Sequence, residues 1–313
     1  MRIEYQNRGY NKMKKPQLRQ MVKKIMPWAF LLSMGTAWGL SFSLAKIAVE
    51  NGAKPFGIAQ FQMMLAGIAL LVITLIRRKS IRNIVDKLGF IFVVAMLGAA
   101  IPSVLFYFAA QQAPAGVISI TVALIPIMTY AFSLPLQLES FSVTRSVGLI
   151  FGIIAICFIA LPQNSLPNRE ALPWVLIACL SSICYAVENI ILSFKSAVTV
   201  GPIRLAMGMN LIAAITLFPI SLLTNSLFVP SLPPSTVDFA VIGLGAITAV
   251  TYTMFVISVA KFGSVFSSQV GYLVTLTGVF WGILIFDESH SIWIWLSLGT
   301  MICGLALVNP RKI

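Results

Sequence analysis

The chain has 313 residues, 58% of them apolar and only 10% charged, with a formal net charge of +13. Soluble domains carry roughly 25% charged residues, so a water-covered surface is excluded for most of this chain. The positive residues lie at the N-terminus and in short connections, where membrane orientation accounts for them better than nucleic-acid binding does.

In chain order, residues 1 to 26 come first, with eight Lys/Arg and one acid, Glu4. Nothing before Pro27 looks obliged to fold, so a disordered basic cytoplasmic tail is expected, with Met13 or Met21 as alternative starts. The apolar block that follows is too long, and too poorly followed by a cleavage site, to be a removable signal. Apolar blocks then recur at 27–49, 56–76, 89–110, 114–135, 144–162, 172–194, 203–224, 236–260, 264–286 and 292–309. About 20 residues is the length that crosses a hydrocarbon layer roughly 30 Å thick as a helix. A stretch such as 56 to 76 (FGIAQFQMMLAGIALLVITLI) shows none of the alternation a membrane barrel requires. The fold class expected is therefore an all-α polytopic membrane protein with ten transmembrane helices. The longest connection, 225–235 (NSLFVPSLPPS), is rich in Pro and Ser and is expected to be irregular.

Ten spans put alternate loops on opposite sides. If the N-terminus is inside, the inside segments hold 19 Lys/Arg, among them Arg77, Arg78, Lys79, Arg82, Lys87, Arg145, Lys195, Arg204, Lys261, Arg311 and Lys312. The outside segments hold Lys54 and Arg169, while Lys46 falls within the first span. That asymmetry predicts a cell inner-membrane protein with both termini cytoplasmic. One missed span would reverse every later loop, so the persistence of the bias also supports the number ten.

Shifting the chain by 149 positions lays 115–140 over 264–289. Each segment follows a short turn (Gln112-Ala113-Pro114, Lys261-Phe262-Gly263) and closes on an acid and a serine, with Glu139 over Glu288. The joint register of turn, apolar run and terminal acid reads as an internal repeat. The units are 27–162 and 172–309. A five-helix unit followed by its copy must enter the membrane the other way round, so the two repeats are inverted, the arrangement that lets halves exchange conformations about a central site.

Several residues then carry a family likeness: Trp38-Gly39, Ser41-Phe42 and Lys46 in helix one, the short turn before helix four, Pro126 with Glu139 thirteen residues later, and Gly148 and Gly152 in helix five. Over 28–309 the chain resembles the drug/metabolite transporter superfamily, in its ten-span EamA-type branch. Thr275 departs from that pattern, standing where the family usually has proline, opposite Pro126. The resemblance implies a secondary transporter with a central cavity, often an exporter of amino acids or other small metabolites.

Glu188, in helix six, is the most informative single residue. A carboxylate inside a span costs about 2.5 to 3.5 kcal/mol at the helix centre, so it should face a cavity or a partner. It is a candidate proton-coupling group, or a counter-charge for a substrate amine; the plainer alternative is that it reaches Lys195 or interfacial water. The other substrate-binding candidates are polar or aromatic residues within spans: Trp38, Phe42, Tyr107, Tyr185, Asn189, Asn210, Tyr252, Gln269, Tyr272 and Thr275. Rings and amides suit a cavity for a modest organic solute, although such residues also serve simply to pack helices together.

Lys46 can snorkel and pair with Glu50 one turn on, and Glu139 and Glu288 suit capping or anchoring at span ends. Four cysteines (Cys157, Cys179, Cys184, Cys303) lie in apolar blocks, and His290 stands alone in an outer loop. No metal set, nucleotide loop or enzyme motif appears, so no cofactor is expected and transport would be driven by a gradient, with protons as the candidate coupling ion. No Lys, Arg or His lies mid-span, which favours neutral, zwitterionic or cationic solutes over anionic ones. The partners expected are the lipid bilayer and a small-molecule substrate. A non-transporting membrane sensor or partner protein, and a passive channel, are the alternatives.

Overall fold

A computed structural model describes residues 15–78, 86–162, 164–166, 168–194 and 199–307. They form ten helical spans: α1 (Lys15–Glu50), α2 (Pro55–Ile76), α3 (Leu88–Ala110), α4 (Ala115–Ser133), α5 (Val143–Ala160), α6 (Leu172–Leu192), α7 (Pro202–Leu223), α8 (Thr236–Phe262), α9 (Ser264–Phe286) and α10 (Ile292–Leu307). Eight are long and apolar enough to cross a membrane by length and composition, while α5 and α10 are the shorter pair. At 1.5 Å per residue those two reach roughly 24–27 Å, slightly less than an average hydrocarbon layer. Large apolar side chains such as Ile215, Val250, Phe280 and Leu284 stand exposed, as a lipid-facing surface requires.

The expected tail boundary at 27 does not coincide with a helix start. Helix α1 runs through Pro27 back to Lys15, so residues 15–26, expected as disordered, are helical. Leu, Gln, Arg, Met and Lys in that segment are good helix formers. Residues 1–14, together with Lys79, Arg82, Lys195, Arg311 and Lys312, lie outside the described residues.

Prolines shape the helices that matter most. Pro55 and Pro202 open α2 and α7 at positions whose N–H groups need no partner. In α4, Pro126 has no N–H to give the Val122 carbonyl, which is taken instead by Ile125 N at 2.9 Å, and the helix tightens at 122–123. In α3 a π-helical turn, Met96–Ala100, precedes Pro102. Helix α9 divides at Gln269, between Ser264–Ser268 and Val270–Phe286, without any proline.

Pairing between helices displays the repeat directly. Helices α4 and α9 run antiparallel: Glu288 at the end of α9 meets Ala115 and Gly116 at the start of α4, and Ser119 meets Thr275. Helices α5 and α10 are antiparallel too, with Ser297 donating to the Ala155 carbonyl at 2.8 Å and Gly304 against Gly148 and Gly152. So are α2 and α7, where Gly67 faces Leu211 and Gly57 faces Ser226.

The remaining contacts come as equivalent pairs. Helix α4 runs parallel to α6, through Thr121 with Ser182 and Thr129 with Asn189. Helix α1 runs parallel to α9, through Gly35 with Leu273 and Gly39 with Thr277. The α1 sequence GTAWG puts small residues four apart on that seam, so two backbones approach closely. Helix α1 also crosses α8 antiparallel, as α3 crosses α6. Exchanging α1–α5 for α6–α10 reproduces every one of these pairings, and each self-paired set is antiparallel. The chain is therefore two inverted five-helix repeats.

Candidate functional site

Between the halves lies a cavity of about 130 Å³, lined by α1, α2, α3, α4, α6, α8 and α9. At a liquid share of roughly 30 Å³ for each water that space corresponds to several waters or a small organic solute. Seven of the sequence candidates line it: Trp38, Phe42, Tyr107, Tyr185, Glu188, Asn189 and Tyr252.

Glu188 is 1% exposed and, among the described residues lining the cavity, the only charged side chain. Its Oε1 accepts a hydrogen bond from the Tyr252 hydroxyl at 2.7 Å, which joins α6 to α8 within the second half at a carboxylate. Lys195, the alternative partner considered for it, lies outside the described residues. The π turn of α3 passes directly beside this pair: a methyl group at Gly98 would overlap the Tyr252 hydroxyl and come within 2.7 Å of the Glu188 carboxyl carbon. Only glycine leaves the carboxylate its place, and extra turns of this kind are frequent at functional sites.

Aromatic rings make two walls that both begin on α1. Trp38 packs edge-on against Tyr252 and Phe255, with centroids 6.0 and 5.7 Å away. Phe42, one turn on, packs against Phe106 at 5.3 Å, and Phe106 stacks on Tyr185 at 6.1 Å. Tyr185 and Glu188 are three apart on α6 and so share a face, which puts the carboxylate where the two walls meet.

The lining also holds a polar cluster centred on Gln62 and Thr248, neither of which the sequence reading named. The Gln62 amide nitrogen donates to Thr248 Oγ1 at 2.6 Å, and the Tyr107 hydroxyl donates to the Gln62 carbonyl oxygen. Ser41, Ser103 and Ser268 line the cavity as well. The available signal was a glutamine inside the apolar run FGIAQFQMMLAG, where an uncharged amide needs partners just as a charge does.

Four sequence candidates do not line the cavity. Asn210 is buried on α7 and donates to its own helix at Ala206 O, 2.8 Å. Thr275 donates to the Ser119 and Gly271 carbonyls at 2.8 and 2.9 Å, fastening α9 to α4. Tyr272 is buried, and its hydroxyl finds no hydrogen-bond partner among the described residues. Gln269 is buried where the two pieces of α9 join.

The two span-end acids occupy different settings. Glu288 accepts from the backbone N–H groups of Ala115 (2.7 Å) and Gly116 (3.0 Å), the free donors at the start of α4. His290 Nε2 lies 3.5 Å from the same carboxylate, and burial lowers the His290 pKa against the smaller raising effect of Glu288. Gly116 and Gly282 leave room for the carboxylate. Glu139, its repeat mate, instead pairs with Arg145 at 2.8 Å. Lys46 pairs with Glu50 at 3.0 Å and also donates to the Ala113 carbonyl. The cysteines are all free.

Comparison with known proteins bears on this arrangement. The model of the EamA-like transporter family matches residues 26–161 and again 172–309. A protein of Escherichia coli strain K12, described as the uncharacterized inner membrane transporter YedA, is 23% identical over 296 residues, covering 93% of each chain. An uncharacterized transporter of Archaeoglobus fulgidus is 23% identical over 192 residues, 61% of this chain and 66% of its own. One crystal structure superposes with a TM-score of 0.64 at 16% identity, covering 92% of this chain and 96% of the other, a likeness of fold.

Proposed function

The chain belongs to the EamA-like transporter family, and on that premise we propose that it is a secondary transporter of small neutral, zwitterionic or cationic metabolites such as amino acids. It resides in the inner membrane, as its Escherichia coli relative is described, with both termini cytoplasmic. It works by alternating access, in the direction of export. The observation that carries this reading is a cavity between two inverted halves with one buried carboxylate on its wall. The halves, 27–162 and 172–309, are the moving units.

Inverted halves can exchange conformations, so that each takes the arrangement the other had. The span-end acids support such an exchange. On the face where α4 begins, the outer face by the positive-residue count, Glu288 joins α9 to α4. On the other face Glu139 holds to Arg145. In the alternate state Glu288 releases α4, and Glu139 takes the equivalent place at the start of α9. Glu188, on α6 of the second half and beside Gly98 of the first, is the group that senses solute or proton.

The test is counterflow in proteoliposomes loaded with a mixed metabolite extract and read by mass spectrometry. Saturable exchange of one chemical class is expected. Flux without saturation or counterflow would make the protein a passive channel, and no flux across a wide panel from folded protein would favour a sensor or partner role.

A further inference from the structure

This inference rests on the reading that the central cavity is where the solute sits. We propose that the solute is a monoamine, a single ammonium group on an apolar body with no carboxylate or phosphate. Glu188 stands where the Trp38–Tyr252 and Phe106–Tyr185 walls meet. A carboxylate among aromatic rings can attract an organic cation twice over, by charge and by the ring quadrupoles. Most of the remaining lining is apolar, which suits the body of such a molecule.

The same wall offers an anionic group no cationic partner. Among the described residues lining the cavity none is Lys, Arg or His. Lys46, next to the cavity-lining Ala45, is committed to Glu50 and to the Ala113 carbonyl. The amide nitrogens of Gln62 and Asn189, each with one N–H given to Thr248 and Thr129, carry no charge. The carboxylate of an amino acid would thus enter the cavity without a counter-charge and in the field of Glu188, where like charges repel. The amine and not the zwitterion is selected, which narrows the solute class from that of the general transport reading.

The experiment measures binding to the purified, detergent-solubilised protein by thermal stabilisation across matched ligands: 2-phenylethylamine, n-hexylamine, phenylalanine, 2-phenylethanol and 3-phenylpropanoate. Metabolite-extract counterflow is run on the same preparation. The amines are expected to bind about tenfold or more tighter than phenylalanine, with 3-phenylpropanoate inactive. Glu188→Gln is expected to remove the preference for the amines; should that variant fail to fold, the wild-type ranking decides alone. Phenylalanine binding as tightly as the amine overturns the monoamine assignment and leaves the transport reading standing. So does silence from all five ligands while the extract yields exchange of another class. If the extract also yields no exchange, the transport reading falls and takes this inference with it.

Discussion

The Tyr252 hydroxyl donates to the Glu188 carboxylate across 2.7 Å and 64 residues of sequence, so the one charged group among the described residues of the cavity wall is held by another helix of its own half. Substitution can separate the charge from the bond. Glu188→Gln keeps an acceptor oxygen for Tyr252 and loses the charge. Counterflow is expected to fall about tenfold or more while the protein still elutes as a single folded species. Tyr252→Phe keeps the charge and loses the tether, and a milder, few-fold loss is expected. Equal rates for Glu188→Gln and wild type would remove the carboxylate from the transport cycle.

Glycines separate the site from the scaffold. Gly98→Ala pushes a methyl group into Glu188 and Tyr252. Overpacking of this kind typically costs about 1–3 kcal/mol, so both thermal stability in detergent and transport should drop. Gly299→Ala meets nothing within 4 Å and sits inside α10, where alanine is a better helix former by up to about 1 kcal/mol. Its melting temperature should hold or rise. A Gly98→Ala protein with normal transport would show that the π turn does not position the pair.

The loop joining α9 to α10 carries a pH signature. Burial lowers the His290 pKa, so the folded protein refuses a proton that the unfolded chain accepts below about pH 6.5. The stability due to neutral His290 is complete above that value and is lost as the pH falls below it. The melting temperature should decline between pH 7.5 and 5.5, and His290→Gln should flatten that decline. The same slope in wild type and variant would assign the effect elsewhere.

Glu288→Gln tests the link between α9 and α4 separately. It retains an acceptor for the Ala115 and Gly116 N–H groups but loses the charge that a helix N-terminus favours, worth about 0.3–1 kcal/mol. If the link closes one face, weakening it should raise the modification of a cysteine placed at Ser41 by an impermeant thiol reagent from that side. Unchanged reactivity would assign Glu288 to packing alone.

Much of this organisation was readable from patterns that depend on short segments. Span number followed from block length and from the Lys/Arg asymmetry, and the repeat from the register of Glu139 against Glu288. Glu188 and six neutral candidates converge on one cavity because polar groups within spans avoid lipid. What remained hidden depends on tertiary partners. Nothing local links Gln62 to Thr248, 186 residues away, or Glu288 to α4. Asn210 and Thr275 looked equally polar in sequence, yet their bonds go to backbone carbonyls of their own or a neighbouring helix. The start of α1 was misplaced because the reading stopped at Pro27, whereas the helix accommodates that proline and continues to Lys15.

The most direct measurement is solute counterflow in proteoliposomes for wild type, Glu188→Gln, Trp38→Ala and Asn210→Ala, each normalised to folded protein. The first two variants alter the cavity wall, and the third alters a buried polar residue outside it. Loss of exchange in Glu188→Gln and Trp38→Ala with exchange retained in Asn210→Ala is the predicted result. Full exchange in both cavity variants would contradict the assignment of the solute to the space between the two halves.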